Sequence, residues 1–366
     1  MSINLWRRRR SGDMHFGLNM ECDYIQGKTE QDAFNDVFAQ VDLAEAVGID
    51  GVWIAERHFS SSDAGQPSIA SSPIVLSTAI ATRTQRLRVG TGVYVLPLNH
   101  PVRIAEEVAT LDYVSQGRFD LGVGRSGFTT AYEGYGYDYG ESRERLQECL
   151  DVLVKAWTQE RFSHQGKYYQ FDNVGVTPKP LQQPYPPIYM AATTSESFPI
   201  AGRNRRNLVV GVRRTSVGQV KESVRVYRQA GRDAGHPGDG DVTLRLPVYV
   251  AETQAEAHAV PEASALKYYR RLSESLTRSV GRAGTAADED RARLAQELAS
   301  ITYDDLLRDW VIFVTPSEVT ERLLQLIEEI DLSGVILEMN AGGLVPIDHI
   351  LKSLKLFGER VAPQLK

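Results

Sequence analysis

The amino-acid sequence predicts an α/β fold, an eight-stranded β/α (TIM) barrel with insertions. Short apolar segments alternate with amphipathic helical segments along the chain, which is the pattern of parallel strands connected by helices. Eight such strand–helix units follow one another with no division into two halves, which favours a barrel over a doubly wound sheet. The chain has 366 residues, and three long connections explain why it exceeds the roughly 250 residues typical of this barrel.

The individual elements follow from apolar periodicity and from residues that start or stop helices. The predicted strands are 15–20, 51–54, 87–96, 119–122, 188–192, 207–212, 243–251 and 334–338. The predicted helices between them include 31–47, 73–82, 102–114, 141–157, 217–234, 317–329 and 347–357. Pro73 suits the first turn of its helix, and Gly48 and Gly117 suit the end of theirs.

The sequence predicts a single domain over residues 14–366 with insertions at about 128–140, 160–187 and 255–310. The first insertion is rich in tyrosine and glycine and is predicted as an irregular loop. The second should contain a small hairpin. The third should be helical, and its residues 270–310 are predicted to form a mobile lid over the barrel. Residues 1–13 contain four consecutive arginines with no apolar segment after them, so a disordered leader or tag-like segment is expected there.

Composition excludes several classes of function. The formal net charge of -6 gives no general attraction to nucleic acid or to an anionic membrane, and no apolar run approaches the ~20 residues that span a bilayer. Two cysteines are too few for a disulfide framework and indicate a reducing, cytoplasmic location. The seven histidines lack metal-binding spacings, so no metal is expected.

A glycine-rich loop, GVGRSG at 122–127, follows the fourth predicted strand. It fits the dinucleotide pattern GxGxxG, but that fingerprint normally occupies the first strand–helix turn of its fold. A single phosphate held by backbone N–H groups and Arg125 is therefore the favoured interpretation. The alternative is a flexible loop without function.

A second polar stretch, TTSES at 193–197, follows the fifth predicted strand. Its hydroxyls and the free N–H groups at the start of a helix could bind an anion. When the stretch is considered alone, simple N-capping by Thr194 or Ser195 is the favoured explanation. The ends of parallel barrel strands meet at one mouth, so a location opposite Arg125 strengthens the phosphate interpretation.

The second strand ends in Glu56-Arg57-His58. In an extended chain, Glu56 and His58 face one side and Arg57 faces the other. His58 is a candidate general acid or base near neutral pH. A structural histidine supported by Glu56 is the alternative, and the sequence alone leaves both open.

Several blocks resemble the bacterial luciferase-like flavin monooxygenases, in order and over nearly all of residues 14–366. They are GVWIAERHF, VGTGVYVLPLNHPVRIAEEVATLDYVSQGRFDLGVGRSG, the segment with Ser142-Arg143, and the ending GVILEMNAGG with LKLFGERVAPQLK. The resemblance implies a barrel that binds reduced FMN at its C-terminal mouth. It implies reaction with dioxygen through a flavin hydroperoxide to oxygenate an organic substrate. A separate flavin reductase and a homodimer are also implied.

The resemblance also implies roles for individual residues. The cofactor would be bound by Gly92, Val93, Arg125, Gly127, Phe128, Thr193, Thr194 and Ser197. Arg125, the Gly127 backbone and the three hydroxyl residues correspond to the phosphate ligands. The Gly92–Val93 peptide corresponds to a cis peptide beneath the flavin ring. His58, Arg57 and Glu56 are the catalytic candidates.

Two departures from the luciferase pattern bear on activity. The luciferases have two successive histidines where this chain has Arg57-His58, and an arginine cannot act as a base at neutral pH. Gly124 replaces a reactive cysteine. Both changes favour a monooxygenase of secondary metabolism over an aldehyde luciferase, with Arg57 binding an anionic substrate or stabilising the peroxide. A deazaflavin-dependent oxidoreductase and a non-catalytic flavin-binding subunit are the alternatives.

Overall fold

The computed structural model describes residues 14–25, 27–60, 67–211, 217–281 and 285–366. The leader expected at residues 1–13 lies outside them. The strands are β1 His15–Met20, β2 Gly51–Ile54, β3 Arg88–Thr91, β4 Tyr94–Val95, β5 Phe119–Gly124, β6 Phe162–Gln165, β7 Gln170–Val174, β8 Ile188–Ala191, β9 Asn207–Gly211, β10 Val242–Val250, β11 Ile312–Val314 and β12 Gly334–Glu338.

The helices alternate with these strands, as the sequence pattern predicts. They are α1 Glu30–Ala46, α2 Pro73–Arg83, α3 Pro101–Val114, α4 Thr129–Tyr135, α5 Ser142–Thr158, α6 Ser197–Arg203, α7 Val217–Asp233, α8 Gln254–Ala259, α9 Glu262–Ser279, α10 Thr285–Ala299, α11 Tyr303–Asp309, α12 Pro316–Ile330, α13 Ile347–Leu356 and α14 Ala362–Leu365. Short 3₁₀ turns occupy Leu96–Leu98 and Tyr139–Glu141, and a π-helical turn occupies Phe357–Val361.

Eight parallel strands close into a barrel in the order β1, β2, β3, β5, β8, β9, β10 and β12. The ring closes because β12 pairs with both β10 and β1. The predicted eight-stranded β/α barrel is therefore confirmed. The predicted strand 87–96 is divided into β3 and β4, and β4 pairs with the end of β5. Similarly, β11 pairs with the last residues of β10.

The barrel interior is packed around Trp53. A Cβ atom added at Gly17 would lie 2.7 Å from the indole ring, and one added at Gly90 would lie 2.6 Å from it. Strands β1 and β3 therefore leave space for the indole only because they carry glycine at positions 17 and 90. Tyr189 meets Trp53 edge-on at 5.1 Å. Side chains fill the centre of the barrel, as in other barrels of this kind. Ligands can therefore bind only at the C-terminal mouth.

The first insertion differs from its prediction as an irregular loop. Residues Thr129–Tyr135 form α4, which ends at Gly136 in the left-handed region, with φ +75°. Tyr132 is fully buried, its hydroxyl donates to the Arg125 carbonyl, and its ring meets Tyr139 edge-on at 4.9 Å. Packing of these tyrosines stabilises a short helix that the local sequence disfavours.

The other two insertions have the predicted character. The second contains the antiparallel hairpin β6–β7. The third is helical, with α8, α9, α10 and α11 between β10 and β11. The mobility of the third insertion stays a prediction.

Candidate active site

A cavity of about 500 Å³ lies at the C-terminal mouth of the barrel. One wall is the segment after β2, from Glu56 to Ser60, together with Val95 at the end of β4. A second part is formed by Ser126 and Phe128 after β5. Helix α9 forms the opposite wall. The position of the cavity agrees with the general rule that ligands of such barrels bind at the C-terminal ends of the strands.

The structure brings Glu56 and His58 together in this cavity. His58 Nε2 lies 2.7 Å from Glu56 Oε1, and Glu56 Oε2 accepts a hydrogen bond from the Val95 N–H at 2.6 Å. Glu56 is buried and His58 is half-buried. The carboxylate is therefore fixed at both oxygens and fixes the imidazole in turn. This arrangement of base and orienting carboxylate is the one that general acid–base catalysis uses.

Tyr135 is a contact of His58 that the sequence did not reveal. Its hydroxyl lies 3.1 Å from His58 Nδ1, and the two rings meet edge-on at 5.0 Å. A carboxylate only accepts hydrogen bonds when ionised, so the neutral imidazole has its proton on Nε2. Nδ1 then accepts from the Tyr135 hydroxyl. Tyr135 is exposed and lies in α4, the helix that the sequence did not predict.

Arg57 faces the other side of the strand end, as its position predicts, and joins a chain of charges. Its Nη1 donates to Glu21 Oε2 at 3.1 Å. Glu21 also pairs with Arg245, and Arg245 Nη2 donates to Glu338 Oε1 at 2.8 Å. Arg245 Nη1 lies 3.4 Å from the carbonyl oxygen of Gly92. The charges thus connect β12, β10, β1 and β2 across the mouth.

Arg245, Glu21 and Glu338 are not among the site residues predicted from the sequence. A signal was present, because Arg245 interrupts the apolar strand β10 and Glu338 ends the apolar strand β12. Burial acts to lower the pKa of Arg245, but the charges of Glu338 and Glu21 outweigh burial and raise it. Arg245 therefore stays cationic in this network.

The Gly92–Val93 peptide is cis, as the resemblance implies. It lies between β3 and β4, next to Asn19. A Cβ atom at Gly92 would lie 3.4 Å from Asn19 Oδ1. Asn19 is 7% exposed, and its side-chain amide has no hydrogen-bond partner among the described residues. A buried amide without a partner is costly, and it marks this point as a place for a polar ligand atom.

Arg125 lies after β5 beside the start of α5. Its Nη1 donates to Ser142 Oγ at 3.4 Å. Burial lowers the pKa of Arg125, Tyr139 opposes this, and the charges of Arg143 and Arg291 lower the pKa further. Arg125, Arg143 and Arg291 therefore concentrate positive charge here. No carboxylate is among the groups that most affect the pKa of Arg125.

The stretch 193–197 approaches the same helix start. The Arg143 guanidinium pairs with Glu196, and Ser142 is the residue that Arg125 contacts. The two polar loops predicted from sequence therefore meet at the N-terminus of α5. Thr194 Oγ1 lies 2.8 Å from Ser197 Oγ. The N-cap residue of α6 is Glu196, and its side chain makes no capping hydrogen bond, so Thr194 and Ser195 are not the N-cap residue that the capping interpretation expects. Thr193 is exposed at the same turn.

Arg291 adds a cation to this region from α10, far away in sequence. It is 5% exposed, and its Nη2 donates to the Tyr139 hydroxyl at 3.0 Å. Its Nε and Nη1 have no hydrogen-bond partner among the residues that the structure describes. Buried guanidinium donors without partners fit an anion, and a phosphate above all.

Gly127 and Phe128, the remaining cofactor candidates, lie between the cationic region at the start of α5 and the cavity. Gly127 is exposed, and its carbonyl accepts from Ser275 Oγ of α9 at 3.2 Å. The Phe128 ring lies 4.8 Å from the Arg57 guanidinium, at the cavity. Within the described part of the chain, no group of three or more His, Cys, Asp or Glu residues could hold a metal. The helices described there include none that is long and apolar enough to cross a membrane.

The barrel, the cavity and the cationic loops at its mouth define a cofactor-dependent β/α-barrel enzyme. Sequence comparison gives the family: the profile of the luciferase-like monooxygenases matches residues 14–331, and the chain belongs to that family. It is a flavin-dependent monooxygenase.

Two curated relatives illustrate the similarity. The oxygenase component of flavin-dependent trigonelline monooxygenase from Acinetobacter baylyi is 28% identical over 247 residues, which cover 67% of each chain. An alkanal monooxygenase alpha chain from Photorhabdus luminescens is 25% identical over 347 residues, covering 88% of this chain and 90% of its own length.

Solved structures share the whole fold. Monooxygenase RslO1 from Streptomyces bottropensis is 25% identical with a TM-score of 0.77, covering 96% of this chain and 99% of its own. The oxygenating constituent of 3,6-diketocamphane monooxygenase from Pseudomonas putida, in complex with FMN, has a TM-score of 0.76 at 22% identity and the same coverage. An F420-dependent secondary alcohol dehydrogenase has a TM-score of 0.74 at 16% identity, covering 97% and 99%. The last two similarities concern the fold alone.

The hydrogen bonds of His58 predict how its proton moves when Glu56 is changed. In Glu56→Gln, the amide oxygen can still accept from the Val95 N–H, but the amide N–H₂ must then face His58 Nε2 as a donor. The imidazole should move its proton to Nδ1 and donate to Tyr135. Nitrogen-15 NMR of histidine-labelled protein should show Nε2–H in the wild type and Nδ1–H in the variant.

His164 is an internal control because it contacts Glu148 through Nε2 and Lys155 through Nδ1, both at 3.2 Å. Its nitrogen signals should not change in Glu56→Gln. The same tautomer of His58 in both proteins would contradict the assignment.

Proposed function

We propose that this protein is the oxygenase component of a two-component FMN-dependent monooxygenase. In this proposal it uses reduced FMN and dioxygen to oxygenate a small organic substrate of secondary metabolism. The observation that carries the proposal is the meeting of Arg125, Arg143, Arg291 and the 193–197 turn at the start of α5. This region supplies the chemistry for the phosphate of a mononucleotide next to a cavity that can take a substrate.

The donors present fit a phosphate group. Arg125, Arg143 and Arg291 provide guanidinium N–H groups, and Thr193, Thr194 and Ser197 provide hydroxyls. Helix α5 has 17 residues, so its N-terminus adds a favourable dipole and free N–H groups. Helix α6 has only seven residues, so the 193–197 turn contributes its hydroxyls more than a helix end. The unpartnered Asn19 amide beside Gly92 offers polar contacts for the flavin ring.

The other residues have roles in binding, orientation and proton transfer. Bound reduced flavin would supply the reaction with dioxygen. Glu56 holds His58 with its proton on Nε2, so a ligand that displaces the Tyr135 hydroxyl would meet a basic Nδ1. Tyr135 thus covers the base until a ligand enters. Helix α9 covers the cavity and limits the access of water.

Partners and context complete the proposal. The relative from Acinetobacter baylyi is named an oxygenase component, which supports a separate flavin reductase here. A homodimer and a single domain over 14–366 follow the family resemblance, and a cytoplasmic location follows the low cysteine content. A deazaflavin-dependent oxidoreductase is the second candidate, because the F420-dependent dehydrogenase shares the fold.

The proposal predicts a defined response to reduced FMN and oxygen. The purified protein should bind photoreduced FMN under anaerobic conditions. On admission of oxygen, absorbance spectra should show a transient species that is neither reduced nor oxidised FMN, since α9 would limit the access of water to the cavity. Tight binding of reduced F420 without binding of FMN would refute the proposal in favour of the deazaflavin alternative.

The phosphate assignment predicts a selective loss in Arg125→Ala. Loss of a charge-assisted hydrogen bond costs about 1.5–3 kcal/mol, so the affinity for FMN should fall by roughly 10- to 100-fold. The affinity for riboflavin, which lacks the phosphate, should change little. Fluorescence titration of both flavins measures the two affinities.

Glu196→Gln is the matched control, because Glu196 pairs with Arg143 at the same place. This change removes a negative charge and frees a guanidinium, so FMN should bind as well as in the wild type or more tightly. Equal losses for FMN and riboflavin in Arg125→Ala would count against the phosphate site.

A further inference from the structure

The wall that α9 contributes to the cavity is strongly basic. Lys267, Arg270, Arg271 and Arg278 all line it, spaced so that they share one face of the helix. Arg57 adds a fifth cation from the end of β2. The only carboxylates among the lining residues described are Glu56, which holds His58, and Glu274. A cavity that only had to exclude water from a flavin would not need this charge.

These cations are held at the cavity by the packing of α9. The opposite face of the helix buries Ala265, Tyr269 and Leu276, so the helix cannot turn its basic face outward. Arg271 is half-buried, and its guanidinium lies 5.6 Å from the centre of the Phe128 ring. The Arg57 guanidinium lies 4.8 Å from the same ring. Two guanidinium groups therefore meet at one aromatic surface, which separates this arrangement from an ordinary solvated helix face.

The nearby carboxylates do not fully neutralise this pair. Glu21 contacts Arg57 but also contacts Arg245, and Asp23 lies 3.8 Å from Arg57 Nη2. Arg57 is 7% exposed, and its Nη2 has no hydrogen-bond partner among the residues described. A buried guanidinium donor without a partner at a cavity indicates a ligand with an acceptor.

The pKa of Arg271 also indicates that positive charge at the cavity is not fully neutralised. Burial and, after it, the charge of Arg57 lower the pKa of Arg271 to about 10 against the opposing effects of Asp23 and Glu21. Burial also lowers the pKa of Lys267 on the same helix face, with Asp23 opposing. An anion in the cavity would relieve the repulsion between Arg57 and Arg271.

We propose that the cavity selects a small organic acid, with its carboxylate bound between Arg57 and Arg271 and its apolar body against Phe128. Arg270 and Arg278, which are exposed on α9, attract the anion to the entrance. This inference rests on the proposed function, in which the cavity receives the substrate. It assigns to α9 a role in substrate specificity. The flavin phosphate has a separate site, because Arg125 and Thr194 are not among the residues that line this cavity.

The test compares benzoate with benzamide, which has the same shape without the charge. Both are titrated into the FMN-loaded protein, and the change in the flavin absorbance spectrum is followed. The wild type should bind benzoate at least tenfold more tightly than benzamide. Arg271→Gln should remove most of that preference, and Arg271→Lys should retain part of it because the charge remains.

Arg225→Gln on α7 is the matched control. Arg225 is an exposed arginine paired with Glu222 at 2.7 Å, and its loss should leave benzoate affinity unchanged. Equal affinities for benzoate and benzamide in the wild type would overturn the inference. So would a loss in Arg225→Gln as large as that in Arg271→Gln.

Two further measurements separate this inference from the proposed function. Arg271→Gln should leave FMN affinity unchanged, and Arg125→Ala should leave the benzoate affinity of the FMN-loaded protein unchanged. A loss of benzoate binding only in Arg125→Ala would place the anion in the phosphate site and overturn the inference. If FMN fails to bind, calorimetric titration of the flavin-free protein with the two probes still tests the cavity, and a retained benzoate preference supports the inference alone.

Discussion

The chain of charges Glu338–Arg245–Glu21–Arg57 is the interaction on which the site depends. It connects the C-terminal ends of four barrel strands and reaches the carbonyl of Gly92. Breaking a buried ion pair by removing one partner costs about 3–5 kcal/mol, because the other charge stays buried. The network therefore fixes the barrel mouth and determines where Arg57 points. Glu56 and His58, the neighbours of Arg57 in the chain, face the other way. The segment after β2 therefore presents a cation on one side and an acid–base pair on the other.

The glycine-rich loop after β5 separates two cationic regions of different construction. Arg125 at one end belongs to the region at α5, where hydroxyls and guanidinium groups suit a phosphate. Phe128 at the other end lies at the cavity under α9, where guanidinium groups meet an aromatic ring and suit an organic anion. In the binding sites that we propose, the loop thus separates the cofactor phosphate from the substrate. The hydroxyls of the first region and the aromatic ring of the second would account for their different ligand preferences.

Much of the fold could be predicted from the sequence because the barrel repeats a local pattern. Each strand is a short apolar run and each return helix has an apolar face, so all eight barrel strands were placed correctly. Helix α4 was missed because its stability comes from the buried Tyr132 and its contact with Tyr139, which are tertiary contacts. The same limit applies to Tyr135, since its contact with His58 depends on α4.

The candidate site could be predicted only in part. The Glu56–His58 contact follows from the alternation of side chains along a strand, and the two polar loops follow from strand ends. Arg143 and Arg291 come from a helix start and a distant insertion, and no local pattern places them beside Arg125. The face of α9 that lines the cavity depends on how that helix packs. Arg245 was also missed, although a charge within an apolar strand is visible in the sequence.

The crystal structure of the protein with FMN and benzoate bound tests this account most directly. The phosphate should lie at Arg125 and the 193–197 turn, and the benzoate carboxylate should lie between Arg57 and Arg271. A phosphate bound by Arg57 and Arg271 instead, with nothing at Arg125, would contradict it.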